Sequence, residues 1–224
     1  MRLTSTGARR RRGLRFMLPA ILVGLSLLLS ACGGDGYTYT GNQGNHVFLK
    51  VPSSWAAYNG NIILKAIGLD GTPSAKSFNW LAAFDASPTP KLGHVLSGVP
   101  KQPVILAYVR QLSPQTRDQF SLQALRNARY PIDQLVNNDQ GDLISSKDIS
   151  LKGGLYGEQD VFDVTGGIGD ISAANGALMV NQIGILDPGN HKLYLLVISC
   201  AATCYERNRN VIDEVARSYS VKET

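Results

Sequence analysis

The period of the hydrophobic positions changes several times along the chain, and each change marks an expected element. His46–Val51 alternates apolar and polar residues and stops at Pro52, the pattern of a strand with one buried face. Asn61–Ile67 (NIILKAI) is a second β-rich run, expected to pair with the first, and Asn79–Ala86 (NWLAAFDA) is a third. Pro88, Pro90 and Pro100 punctuate Ser87–Lys101, which reads as an exposed loop. Pro103–Leu112 (PVILAYVRQL) is apolar on both faces for most of its length and is expected near the centre of a sheet.

The period then becomes helical. Thr116 and Gln119 form a capping box, and Phe120, Ala124, Leu125 and Ala128 follow at helical spacing. Tyr130-Pro131 ends this helix, because a residue before proline avoids the α region. Asp133–Val136 resumes as a short helical piece. Leu143–Leu151 and Leu155–Thr165 read as strands broken at Gly153-Gly154, and Gly166–Asp170 as a turn. Ala177–Leu186 and His191–Ser199 form a hairpin through Asp187-Pro188-Gly189-Asn190, which suits a type II turn. A final helix is expected from the capping box Thr203/Glu206, with Cys204 at its first position and an apolar face of Val211, Ile212, Val215, Ala216 and Tyr219. Ser218–Lys222 is a short terminal strand or tail.

The N-terminus follows a different logic. Residues 1–15 hold six arginines and no acid, and residues 16–31 (FMLPAILVGLSLLLSA) carry no charge. A basic segment, an apolar segment and small residues before a cleavage point make a secretory signal. The apolar run is shorter than the roughly 20 residues of a spanning helix. Leu29-Ser30-Ala31-Cys32 resembles the lipobox of bacterial lipoproteins, which implies cleavage before Cys32 and a diacylglyceryl group on its sulfur. Two acyl chains suffice for stable anchoring, at about 0.8 kcal/mol per buried methylene. Arg11-Arg12-Gly13-Leu14 hints at twin-arginine export, but Arg15 stands where a second apolar residue belongs. The expected organisation is a signal over 1–31, a flexible Gly-rich tether over 32–45 and one folded domain over 46–224.

That organisation changes the meaning of the charge. The whole chain has a net charge of +5. Six of its 22 basic residues precede Cys32 and all 17 acidic residues follow it, which leaves 16 against 17 and a net charge of −1. A near-neutral mature chain lacks the basic face that nucleic acid requires. Cys32 also accounts for the odd cysteine. Cys200 and Cys204 then read as a structural disulfide in an oxidising compartment, ahead of a redox pair (the spacing is wrong for one) or a metal site.

Candidate chemistry is sparse. His46, His94 and His191 are scattered, with no partner at metal-ligand spacing, so no metal and no cofactor is expected. Glu158, Asp160 and Asp163 crowd one strand, with Glu158 and Asp160 on one face. They read as a solvated polar face, ahead of half a calcium site or an acid pair. Trp55 and Trp80 are possible ligand-groove aromatics, with core packing the commoner role.

One resemblance organises these elements. Val51-Pro52-Ser53-Ser54-Trp55 closes the first strand, and Tyr130-Pro131 ends the middle strand–helix unit. Lys192-Leu193-Tyr194-Leu195 lies in the long hairpin and Ser218-Tyr219-Ser220-Val221 closes the chain. In this order they resemble the PsbP-like α/β/α sandwich superfamily, and within it the actinobacterial lipoproteins of the LpqN type, over most of 45–224. The resemblance implies an α+β fold with a central antiparallel sheet flanked by helices. It also implies a non-catalytic interaction or assembly module on the outer face of the cell membrane. An envelope or secreted protein is the expected partner. A small-molecule or lipid-binding module, with Ser87–Lys101 over a pocket, is the alternative; a hydrolase pairing Glu158 or Asp160 with a histidine ranks third.

Overall fold

Two antiparallel sheets arise from the alternating runs within residues 36–166 and 176–222, which the computed structural model describes. The smaller sheet has the order β1 (Tyr37–Asn42), β2 (Val47–Pro52) and β10 (Ser220–Val221). Strand β1 lies inside the segment expected as a tether, so only residues 32–36 of that segment precede the fold. Its polar sequence, YTYTGN, hid it, because a strand this exposed shows no apolar alternation. A full antiparallel ladder with β2 satisfies its backbone, from Tyr37 opposite Pro52 to Asn42 opposite Val47. The Tyr37 hydroxyl donates to Glu214, and Lys50 reaches the same carboxylate at 2.8 Å.

The larger sheet is formed by β3 (Ala56–Asn59), β4 (Phe78–Asp85), β5 (Val104–Gln111), β6 (Leu143–Ser150), β7 (Tyr156–Val164), β8 (Leu178–Leu186) and β9 (Lys192–Ala201). Its order is β3-β4-β5-β9-β8-β7-β6, antiparallel throughout. Strands β5 and β9 are central, as their near-continuous apolar sequences require. The β8–β9 turn has Gly189 at φ 80°, and the Asn190 amide donates to the Asp187 carbonyl at 3.0 Å, the type II geometry expected.

Each face of the large sheet buries its own core. On one face Ala107, Val109, Leu196 and Ile198 pack with β2 and with the long helix α6 (Ala202–Ser218) through Ile212 and Val215. On the other, Tyr108, Leu195, Val197, Phe162 and Val180 pack under shorter helices. Among these are α1 (Gly60–Ala66), α2 (Leu92–Leu96), α4 (Leu122–Arg126) and α5 (Ile132–Asn137); α3 (Pro114–Arg117) precedes α4. The architecture is therefore α+β, with sheets covered by helices, as expected.

Several local expectations are corrected. The run at Asn61–Ile67 is mostly helix α1 rather than a strand paired with β2. The Asn59 side chain accepts from the Ile62 amide and starts it, a cap that outweighs the β-rich composition. Segment Ser87–Lys101 holds α2, whose Val95 is buried, so it is not simply an exposed loop. The middle helix is two short ones, capped by Ser113 and Ser121 rather than by Thr116. Helix α6 starts at Ala202 with no side-chain cap, so Cys204 is its third residue. Glu206 pairs with Arg209 instead of closing a capping box.

Candidate functional site

Strand β7 carries Glu158, Asp160, Phe162 and Val164 on one face, because side chains two apart point the same way. Phe162 and Val164 belong to the core beneath the short helices. Glu158 and Asp160 continue that face inward and are only 2% and 0% exposed. This corrects the expectation of a solvated polar face. Strand β6 lies beside β7 and α4 packs across it, so the carboxylates are shut in by neighbours that the sequence of β7 does not reveal.

Arg126, the last residue of α4, answers them. Its guanidinium lies 3.2 Å from Asp133 Oδ1 and 3.6 Å from Glu158 Oε2. Asp133, in the first turn of α5, also accepts from Gln123 at 3.0 Å and from Asn127 Nδ2 at 2.9 Å. Gln182 stands opposite Asp160 in the β7–β8 ladder and donates to the carbonyls of Leu125 and Arg126 at 3.2 and 2.9 Å. It thereby satisfies carbonyls at the C-terminal end of α4. Gly184, opposite Glu158, admits the helix: a Cβ there would stand 2.6 Å from Leu125 Cδ1.

The electrostatics of the cluster are unequal. Burial, with Asp160 close by, pushes the Glu158 carboxyl up to about 7 against the pull of Arg126. Burial also raises Asp160, which Ser146 and Arg126 only partly offset. Asp133 is held below the ordinary range: partial burial works the other way, but hydrogen bonds from Asn127 and Gln123 and the Arg126 charge win. Glu158 Oε1 and Arg126 Nε find no partner within hydrogen-bond distance. A proton retained on Glu158 near neutrality relieves much of that burden, since a buried unpaired charge costs more than a buried neutral acid.

Above the cluster lies an open cleft of about 340 Å³, lined by Gln123, Arg126, Ile132, Asp133, Val136, Asn137 and Leu143. Its charged groups are Arg126 and Asp133, and its rim is apolar where Val136 and Leu143 reach the surface. Such a mixture of apolar wall and convergent polar groups suits recognition of a ligand or a side chain. None of the three histidines lines it. Among the described residues, no group of three His, Cys, Asp or Glu side chains could hold a metal ion.

The other candidate residues lie elsewhere. Cys200 and Cys204 stand at disulfide distance, with Cα atoms 5.9 Å apart, joining the end of β9 to α6. Trp55 and Trp80 are half-buried against the core beneath α6 and do not line the cleft. His94 Nδ1 lies 2.7 Å from Asp85, a buried carboxylate that also accepts the Ser87 and Lys91 amides and so organises the loop before α2. His191 Nδ1 contacts the Pro188 carbonyl, and His46 closes a short 3-10 turn at φ 52°. Asp163 leaves the carboxylate pair and accepts the Asp142 amide at 2.7 Å. Cys32 and most of the Gly166–Asp170 turn lie outside the described residues. The sequence reading missed Arg126, Asp133 and Gln182. Of these only Asp133 carried a local signal, as the start of the short helical piece Asp133–Val136 after Pro131.

No family model matches the chain, and no curated protein matches it by sequence. Solved structures are similar. The cyanobacterial PsbP of Synechocystis sp. PCC 6803 is 13% identical, over 86% of this chain and 96% of that one, with a TM-score of 0.48. The Ran-binding protein Mog1p of Saccharomyces cerevisiae is 7% identical, over 83% and 95%, with a TM-score of 0.43. LpqN of Mycobacterium tuberculosis, involved in cell envelope biogenesis, is 12% identical, over 85% and 88%, with a TM-score of 0.38. The expected PsbP-like and LpqN-type proteins are thus among the structures to which this chain is similar.

Proposed function

We propose that this chain is a lipid-anchored extracytoplasmic binding module, with Cys32 carrying the lipid and the folded domain holding an envelope or secreted protein. The observation that supports binding most directly is the open cleft beside α5 and β6, apolar at Val136 and Leu143 and charged at Arg126 and Asp133. The paired carboxylates beneath it meet an arginine rather than a histidine, which favours recognition over hydrolysis. No helix of the described residues is long and apolar enough to cross a membrane. In this reading the Leu29-Ser30-Ala31-Cys32 box supplies the attachment.

Two measurements test the reading. Wild type is expected in the membrane fraction, with Cys32→Ala released or left unprocessed. Retention of a cleaved Cys32→Ala protein in the membrane would overturn the anchor. A photo-crosslinking side chain at Val136 is expected to trap a defined envelope protein, while the same group at Ile67, outside the cleft, traps none. Equal trapping at both positions removes the cleft as the binding face.

A further inference from the structure

Strand β6 ends the seven-stranded sheet, and among the described residues no strand lies beyond it. Every residue of β6 except Ile149 is exposed. The opposite edge, β3, has four residues, whereas β6 has eight. The Leu151 amide donates to the Leu155 carbonyl at 2.9 Å, which fixes the phase of the ladder with β7. Antiparallel bonds alternate in direction, so Ser145, Lys147 and Ile149 turn their amides and carbonyls toward β7. Those of Ser146, Asp148 and Ser150 turn outward, as an edge ready for another strand.

The same edge is guarded against its own copies. The register shifts between Leu143 and Ser145, leaving Ile144 as a bulge and Ser145–Ser150 as the regular stretch. Two copies related by a two-fold axis must pair about a single residue. The two central choices then set Lys147 against Lys147 or Asp148 against Asp148, and like charges directly opposite are unfavourable. Ile144, 56% exposed, and Leu151 bracket the stretch with apolar surface. The pattern fits a short extended segment whose charges are the complement of this one.

We propose that Ser145–Ser150 is a strand-addition site for an extended segment of another protein, carrying a basic residue opposite Asp148 and an acidic residue opposite Lys147. Backbone hydrogen bonds supply the attachment and the two charge pairs set register and direction. The proposal rests on the binding-module reading and names the class of partner.

The test titrates the full-length protein, isotope-labelled and in detergent micelles, with two capped peptides. One is Thr-Val-Lys-Glu-Thr-Val, which places Lys on Asp148 and Glu on Lys147 in an antiparallel pair. The other reverses the two charges. The first is expected to shift the amide resonances of Ser146, Asp148 and Ser150, and the second to bind roughly fivefold more weakly or worse. A Lys147→Glu/Asp148→Lys double variant is expected to reverse that preference. Ser150→Pro removes one outward amide and no bond to β7, so binding falls while the amide resonances of β8 and β9 stay in place. No shift with either peptide, or equal shifts with both, overturns the proposal. Shifts at the same amides on raising protein concentration alone also overturn it, in favour of a second copy. Membrane retention through Cys32 is read in a separate experiment, so failure of the anchor and failure of this site are distinguishable.

Discussion

Glu158 shows how far a residue's role departs from its letter. An exposed glutamate is ionised well below neutrality, but this one is buried beside Asp160 and rises to about 7. The folded state therefore binds its proton more tightly than the unfolded chain does. Stability from this group is full below the unfolded value of about 4.5 and is lost as pH rises through about 7. Asp133 has the opposite sign: its lowered value contributes stability that is lost only as pH falls through the acid range. Asp160 shares the sign of Glu158, and Arg126, Ser146 and Asp148 face the pair. Thermal melts between pH 5 and pH 8 should show wild type losing stability as pH rises. Glu158→Gln should flatten that slope and melt higher than wild type at pH 8. A Glu158→Gln profile parallel to wild type would assign the slope to other groups.

At the scale of elements, the cleft exists because α4 can lie close on β7 and β8. Gly184 leaves room for Leu125, which is fully buried, and Gln182 holds the carbonyls of Leu125 and Arg126. Those contacts place Arg126 between Asp133 and Glu158. Gly184→Ala should therefore destabilise by about 1–3 kcal/mol, the usual cost of overpacking. It should also disturb the Arg126 and Asp133 environment before it disturbs β5 and β9. Urea unfolding with amide spectra checks both, and an unchanged midpoint would mean that Leu125 moves aside freely. The elements read correctly from sequence include the strands β2, β4, β5, β6 and β7, the β8–β9 hairpin and the apolar face of α6, most of them marked by a strong period or a defined turn. Those misread are short. A seven-residue helix and an eight-residue strand are equally apolar in a run such as NIILKAI, and a side-chain cap decided between them.

At the scale of the molecule, β1 is the chief surprise. It places the fold's first hydrogen bonds at residues expected to be tether, and its partner β2 in turn pairs with β10 near the other end of the chain. The Tyr37–Glu214–Lys50 contacts tie this small sheet to α6. Deleting Tyr37–Asn42 should lower the urea midpoint and uncover the β2 edge, giving association that grows with concentration in size-exclusion runs. A monomer with the wild-type midpoint would return β1 to the role of a tether.

The α+β class was implied by the resemblance; the sequence by itself determined the central strands, the hairpin, the reading of Cys200 and Cys204 as a pair and the near-neutral charge after Cys32. These rest on period, turn chemistry and composition, which are local along the chain. Tertiary structure alone decided the burial of Glu158 and Asp160, the position of Arg126 between two acids, the pairing of β1 and the open edge at β6. Each depends on which distant segment lies alongside, and a carboxylate or a polar strand reads the same in sequence whether water or a neighbouring element covers it.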